Sequence, residues 1–590
     1  VNRFSKRTSG ERRTAVDKSD DLVTMIQEGR IGRREFLKRA TALGLSLPAA
    51  GALLAACGGG GGGEAAPPSQ EPAPPSEEPA PPSEEPAPPS EEPAPAAGEP
   101  KAGGTLLFAR NFEPASLDPM GPADNGSIFA RVQIFDTLVR QDPETQPEPG
   151  PGLAESWESS ADGLTWTFTI RDAKFSNGDP VTIDDVKFSL DRFMDPSINV
   201  NIPSLAYGFQ SVDVVDDKTI QITLQFPVGA LLTNLSVFPG SIVNKKLVEE
   251  QGDDHWQNPV GTGPFMLDEW VAGDHITLVK NPNYWEPGLP YLDGVRFDYV
   301  PDDNARILRI QSGEADLVEG IPFTQIQSLQ GQEGFSLEIQ TISRWEGIEI
   351  NHNKPPLDDP NVRKALNLAL DKDAINAAVY GAAAEIANDM IPKGQFTADP
   401  GTVPPYAFDL DQANQLISQS PASGGIDVTF VYPAGSSIHK ELSTIVQAQY
   451  AEIGVNVKLE EVDQASLFDR YLAGDWDLAV PLVQFTADVP VNDEVALLFY
   501  DDNPDNALRA FATGWKVPHD LVEKTQAFAQ STSDEERATL YLDIQKQAMD
   551  EAPWVTLFFS PAVTAVGNQV QGFKTLLAAW WDLEDTWLNT

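Results

Sequence analysis

A single cysteine, Cys57, stands in 590 residues, so no disulfide can staple this chain internally and its fold must be held by a buried core alone. The residues around it separate the part that folds from the part that addresses. Arg33-Arg34-Glu35-Phe36-Leu37-Lys38 leads into a run from Ala40 to Ala56 without a charged residue, and the run ends in Leu54-Ala55-Ala56-Cys57. A basic segment, an apolar stretch and small residues before a cut are the layout of an export signal. With Pro48 inside it, the run falls short of the roughly 20 residues that span a bilayer. Residues 1–56 are therefore expected to be a signal peptide, and the protein to work outside the cytoplasm.

Two finer resemblances sharpen that expectation. Leu54-Ala55-Ala56-Cys57 resembles the lipobox of bacterial lipoproteins, which implies lipidation of Cys57 and a tether to the membrane. Arg33-Arg34-Glu35-Phe36-Leu37-Lys38 resembles the twin-arginine signal, which implies export in the folded state. The pair Arg12-Arg13 serves as a control, because Thr14-Ala15-Val16-Asp17 follows it and no apolar run does.

Beyond Cys57 come a glycine run to Gly63 and four copies of a Pro-Pro-Ser-(Gln/Glu)-Glu-Pro-Ala unit from Pro67 to Ala94. The period of seven does not make a coiled coil, since proline removes helix hydrogen bonds and no apolar seam exists. Proline favours an extended chain, and at about 3.1 Å per residue the stretch from Glu64 to Pro100 could reach on the order of 100 Å. Residues 57–100 are thus expected to be a lipidated cysteine followed by a stiff acidic spacer. Residues 1–56 hold 11 Lys and Arg against 6 Asp and Glu, while the whole chain carries −47. The exported part is therefore more acidic still, a surface that repels nucleic acid and anionic headgroups.

From Lys101 the composition is that of a globular protein. Trp166, Phe168 and Ile170 alternate with threonines, and Ile220, Ile222 and Leu224 alternate with polar residues, which predicts half-buried strands. Thr182 with Asp185 three residues on predicts a capping box opening a helix. Later, Asp427 to Tyr432, Ser437 to Ile453 and Val455 to Val462 read as strand, amphipathic helix and strand, a βαβ unit that implies parallel pairing. Val362 to Tyr380 and Ser533 to Asp550 read as further long helices. A strand-rich first half and an α/β second half suggest two lobes, and ligands favour clefts between lobes.

Nine short strings then follow one another in a recognisable order. They are Gly103-Gly104-Thr105-Leu106, Ser116-Leu117-Asp118-Pro119, Phe135-Asp136-Thr137-Leu138, Leu153-Ala154-Glu155-Ser156-Trp157, Gly261-Thr262-Gly263-Pro264-Phe265, Asn281-Pro282-Asn283-Tyr284-Trp285, Pro355-Pro356-Leu357-Asp358, Val362-Arg363-Lys364-Ala365-Leu366 and Glu551-Ala552-Pro553. Over 101–590 the chain resembles the family 5 extracellular solute-binding proteins of bacterial ABC importers. The resemblance implies an α/β, two-lobed, periplasmic-binding-protein-like fold with mixed sheets and a larger, discontinuous first lobe. The expected division is 101–343 with 559–590 for the first lobe and 344–558 for the second. It implies a monomer that captures oligopeptides or dipeptides between its lobes and delivers them to a permease driven by partner ATPases. The same fold could instead take an oligosaccharide, an opine-like amine or a nickel complex; a ligand sensor or chaperone-like lipoprotein is the alternative class.

The resemblance also implies a site. Phe485-Thr486-Ala487-Asp488 lies where the family's peptide binders carry an aspartate that pairs with the peptide ammonium, so Asp488 is the expected amine contact. Phe485 stands where tryptophan is usual, and Val489-Pro490-Val491 departs from the usual continuation. Trp345, Phe485 and Trp515 are expected to offer flat faces to a ligand, and Arg344 and Arg470 are candidates to read a carboxylate. No enzyme is expected. The five histidines are scattered without a His-Glu-x-x-His pattern, Gly261-Thr262-Gly263 lacks the rest of a dinucleotide loop, and no Gly-x-Ser-x-Gly elbow is present. No metal or cofactor is implied.

Overall fold

Two long strands organise the molecule. Phe335–Ile350, of 16 residues, and Trp554–Gly567, of 14, run antiparallel in the interior of an eleven-stranded sheet. The computed structural model describes residues 99–122, 124–141, 149–199, 203–389, 396–481, 513–576 and 579–589. The export signal, Cys57, the linker, Phe485 and Asp488 lie outside the described residues.

On one side of the long pair the sheet continues through Leu317–Glu319, Thr105–Arg110, Gly294–Tyr299, His275–Lys280 and Phe265–Val271. On the other it continues through Leu478–Ala479, Ile426–Pro433 and Val455–Val462. Thr105–Arg110 pairs parallel with both of its neighbours, and so does Ile426–Pro433, while the long strands and the 265–280 hairpin are antiparallel. The sheet is therefore mixed, as expected for this α/β class.

Its two ends are covered by separate cores. Around Phe108, Leu278 and Val295 the first core joins the sheet to a four-stranded antiparallel sheet, Ala154–Ser159, Thr165–Ile170, Thr219–Leu224 and Phe209–Asp216. Phe168, Ile220 and Ile222 are fully buried there, each such side chain contributing about 1.5–3 kcal/mol. The predicted capping box at Thr182 is present: its hydroxyl accepts from Asp185 N, and the Asp185 carboxylate accepts from Thr182 N at 2.9 Å, opening helix Ile183–Met194. Around Phe430, Val446 and Tyr450 the second core holds the predicted βαβ unit, with helix Ser437–Ala451 between the parallel strands. A third cluster packs Trp345, Trp515 and Trp554 against helices His519–Gln530 and Asp534–Glu551.

One expected helix is two. In place of a continuous run from Val362 to Tyr380 there are Pro360–Leu368 and Lys372–Val379. The cause is Asp371, whose carboxylate accepts from Ala374 N at 2.9 Å and so starts a new helix while the previous one ends. Among the described residues no helix is long and apolar enough to cross a membrane.

Candidate functional site

Where the strand Phe335–Ile350 leaves one core for the other, its pairing with Trp554–Gly567 slips. Phe335 to Thr341 match Gly567 to Pro561 in unbroken register, then the ladder shifts between Thr341 and Trp345 and again between Glu346 and Gly347. Such slips bend a strand and re-aim its side chains. Gly347 is part of the device. A Cβ there would lie 2.1 Å from the Trp345 ring, so the indole can fold back over the chain only because glycine follows two residues later.

The irregular stretch gathers polar groups that the protein itself does not satisfy. Arg344 Nη2 meets Glu346 Oε1 at 2.9 Å, and Ser560 Oγ donates to the same oxygen at 3.2 Å. The Arg344 side chain keeps 34% of its surface exposed and its Nε has no partner. Ser343 Oγ, Trp345 Nε1, the Tyr380 hydroxyl and His439 Nδ1 are likewise buried without hydrogen-bond partners. Unmade hydrogen bonds of this kind cost roughly 1–3 kcal/mol each, so five in one neighbourhood are a standing invitation to a polar ligand or to water.

Tyr380 and His439 come from distant elements yet feel the same ion pair. Burial first, then the Glu346 carboxylate, holds the Tyr380 phenol well above its ordinary range, so it is a neutral donor. The Tyr380 ring is wedged between Phe323 at 5.2 Å and Phe558 at 5.0 Å, which fixes its position. Burial depresses His439, with Glu346 opposing and Arg344 adding to the shift. The imidazole is therefore neutral near pH 7 and can donate or accept. Together the groups can orient a carboxylate on Arg344 and hold hydroxyls or amides around it.

The expected site residues divide. Trp345 and Trp515 are 1% and 5% exposed, and both flank Trp554 with centroids at 5.8 and 6.0 Å. Their faces are thus engaged with protein, and what Trp345 leaves unmatched is its N–H. Of the two arginines, Arg470 is committed to Glu460 at 2.6 Å and to the Asp475 carbonyl at 3.0 Å, whereas Arg344 is open. Asp488 and Phe485 lie outside the described residues. Glu346, Tyr380, His439, Ser343 and Ser560 were not singled out from sequence. The available signal was local, an oppositely charged pair Arg344/Glu346 two residues apart in a strand whose other charged residues are all glutamates.

The first core also meets the third cluster, away from the long strands. Gly229 N donates to the Ala529 carbonyl at 2.8 Å, and Arg537 Nη1 donates to the Gly229 carbonyl at 3.1 Å. Arg537 lies over Phe528 at 4.7 Å and Phe396 at 5.0 Å. A Cβ on Gly229 would approach the Ser531 carbonyl oxygen to 2.3 Å, so this seam needs glycine.

Two cores on one mixed sheet, joined by a strand pair and leaving polar groups unmatched at the crossing, define a two-lobed solute-binding protein. The model of bacterial extracellular solute-binding proteins, family 5 (middle), matches residues 148–507, and the chain belongs to that family. It is 28% identical over 479 residues to the glutathione-binding protein GsiB of Salmonella typhimurium, covering 80% of this chain and 90% of that one. The periplasmic binding protein DppA from Helicobacter pylori, solved with the peptide STSA, superposes with a TM-score of 0.68 at 26% identity, over 83% of this chain and 99% of DppA. NikA from Brucella suis, solved with Fe(III)-EDTA, gives a TM-score of 0.72 at 25% identity over 82% and 100%. The protein is accordingly an extracytoplasmic substrate-binding component of the ABC transporter type, a class that works with a permease and its ATPases; these relatives are solute binders, not enzymes.

Proposed function

We propose that the protein captures short peptides and hands them to an ABC permease while tethered to the membrane through a lipid on Cys57. The observation that carries the peptide reading is the half-open Arg344, held by Glu346 and ringed by buried donors without partners. A guanidinium so placed suits a carboxylate, and Asp488 is the proposed counterpart for the ligand's ammonium, with Phe485 beside it. Trp345 and Trp515 back this wall. The lobes are proposed as 101–343 with 559–590 and as 344–558, because the register break between Thr341 and Trp345 puts a bend at that boundary. The names of two relatives, one binding glutathione and one solved with a tetrapeptide, support the class of ligand.

The test is calorimetric titration of the protein with di- to tetrapeptides, free and with amidated C-termini or acetylated N-termini. The expected result is loss of at least an order of magnitude in affinity on capping either end, and a similar loss for Asp488→Asn with free peptides. Equal affinity for capped and free peptides would overturn the reading. A chelated metal would bind without regard to Asp488, which separates the NikA-like alternative.

A further inference from the structure

The first core contains a cavity of about 90 Å³, made from residues outside the cluster at Arg344 and lined by both apolar and polar side chains. A single water needs only roughly 10–15 Å³ of such space, so the cavity has room for a small guest. Three observations limit what the guest can be.

The first is Gln141, which lines the cavity, is 7% exposed, and has neither its amide nitrogen nor its amide oxygen matched by any partner. Its neighbours in the strand Val139–Gln141 are paired with Pro149–Pro151, so the side chain is held in place rather than free to seek water elsewhere.

The second is a surplus of acceptor charge. Arg140 is already matched twice, by Glu584 at 2.8 Å and Glu286 at 2.8 Å, and its Nη1 also meets the Tyr284 hydroxyl at 3.2 Å. Tyr284 in turn donates to Glu584. Asp136 receives one hydrogen bond, from Trp285 Nε1 at 2.7 Å, and no other described side chain donates to it. Burial drives the Asp136 carboxyl up to about 6 despite the opposing pull of Arg140, as expected of an acid that lacks its own counter-ion. Arg171, 3.8 Å over the Trp285 ring, adds a weaker pull on Asp136 in the same direction as Arg140, so two guanidinium groups stand against the three acids Asp136, Glu286 and Glu584.

The third is the wall. Phe135, Phe238 and Trp580 complete the lining, which favours a guest with an apolar flank and tolerates a positive charge near aromatic faces. An anion would meet Asp136 and Glu584, and a neutral guest would leave Asp136 uncompensated.

We propose that this cavity is a binding site for a small primary alkylammonium ion, its N–H groups donating to the open Asp136 oxygen and the Gln141 amide oxygen and its alkyl part resting on Phe135 and Phe238. The site differs in position and chemistry from the peptide cleft and does not depend on it.

The probe is methylammonium chloride, titrated calorimetrically into the full-length protein against sodium chloride at equal ionic strength. The expected result is saturable one-to-one binding, at least tenfold weaker in Asp136→Asn, which keeps an acceptor for Trp285, and weaker in Gln141→Leu. Peptide affinity should be unchanged in both variants. Absence of saturable binding in the wild-type protein overturns the proposal, as does wild-type affinity in either variant that melts normally. Methylammonium binding abolished by Asp488→Asn but untouched by Asp136→Asn would place the ion in the cleft and overturn it equally. If Asp136→Asn fails to fold, Gln141→Leu alone decides.

Discussion

Arg110 and Arg344 lie on strands of the same sheet and meet opposite fates. Arg110 ends the strand Thr105–Arg110, is 1% exposed, pairs with Glu319 at 3.1 Å, and donates to the Asn125 carbonyl at 3.1 Å and the Gly126 carbonyl at 3.5 Å. Three rings surround its guanidinium, Trp581 at 4.8, Phe129 at 5.3 and Phe297 at 5.4 Å. Arg344 has one carboxylate, an unmatched Nε and a third of its surface in solvent. The first is a finished structural joint, since each of its three nitrogens has an acceptor. The second is an unfinished one, and folding alone gives no reason to leave it so.

The comparison breaks most visibly at Arg110. Arg110→Ala strands Glu319, 7% exposed, without its cation, and removing one partner of a buried pair costs about 3–5 kcal/mol. Urea denaturation should show that loss, with ligand affinity of the folded fraction unchanged. A cost below about 1 kcal/mol would mean that the joint is not structural and would remove the contrast with Arg344.

Lys372 asks whether an unmatched cation must be functional. It is 3% exposed, its Nζ has no partner, and it lies 5.9 Å from the Tyr406 ring. Burial lowers its pKa from 10.5 to about 7. Between those values the unfolded chain binds the more protons, so stability rises as pH climbs from 7 to 10.5 and the penalty is complete below 7. Lys372→Met should therefore stabilise the protein at pH 7 by on the order of 4 kcal/mol, and the gain should vanish above pH 10.5. Peptide affinity should not move, because among the described residues no carboxylate pairs with the Lys372 Nζ and the cluster at Arg344 does not include it. A change in affinity would remove the distinction between a misplaced charge and a site.

At Arg344 the effects should be reversed. Hydrogen bonds to a charged group are worth about 1.5–3 kcal/mol, so Arg344→Ala should weaken peptide binding by about 10- to 100-fold. Stability should fall as well, because Glu346, 4% exposed, loses its cation and keeps the Ser560 hydroxyl as a donor, but by less than at Arg110, since the Arg344 guanidinium is itself partly solvated. Arg344→Lys should recover little, because a point charge cannot reproduce the fork. Loss of stability without loss of affinity would make Arg344 a second Arg110.

What could be read in advance follows from the range of each interaction. The capping box at Thr182 and the βαβ unit rest on neighbours a few residues apart, so their patterns are visible in the chain. The break at Asp371 is equally local, an aspartate three residues before Ala374, but the apolar period continues across it and masks it. The order of nine motifs carried the two-lobed fold. The site was harder, because Arg344 and Ser560 meet through strands that pair across more than two hundred residues, Tyr380 and His439 arrive from separate helices, and no spacing rule reaches that far. Trp345 shows the other side of the same problem: its type suggested a ligand face, while Gly347 and Trp554 decide where the face points.

The smallest effect should come from the rim, where the comparison is between closing and binding. Gly229 links the first core to Ala529 by a backbone hydrogen bond of 2.8 Å, and a methyl group at that Cα would lie 2.3 Å from the Ser531 carbonyl oxygen. The contact cannot be relieved by turning a side chain, because the obstacle is backbone. Gly229→Ala should thus open the seam and displace the bond from Arg537 without touching the cluster at Arg344. A ligand can shift the equilibrium between open and closed forms only by its differential affinity for them, so a penalty on the closed form subtracts directly from binding. A cost of about 1 kcal/mol would lower affinity roughly fivefold, carried by faster dissociation in stopped-flow traces, with a larger radius of gyration by solution scattering in the liganded protein. Unchanged dissociation would mean that the 229–537 seam forms after the ligand is already committed, leaving selectivity wholly to the wall around Arg344.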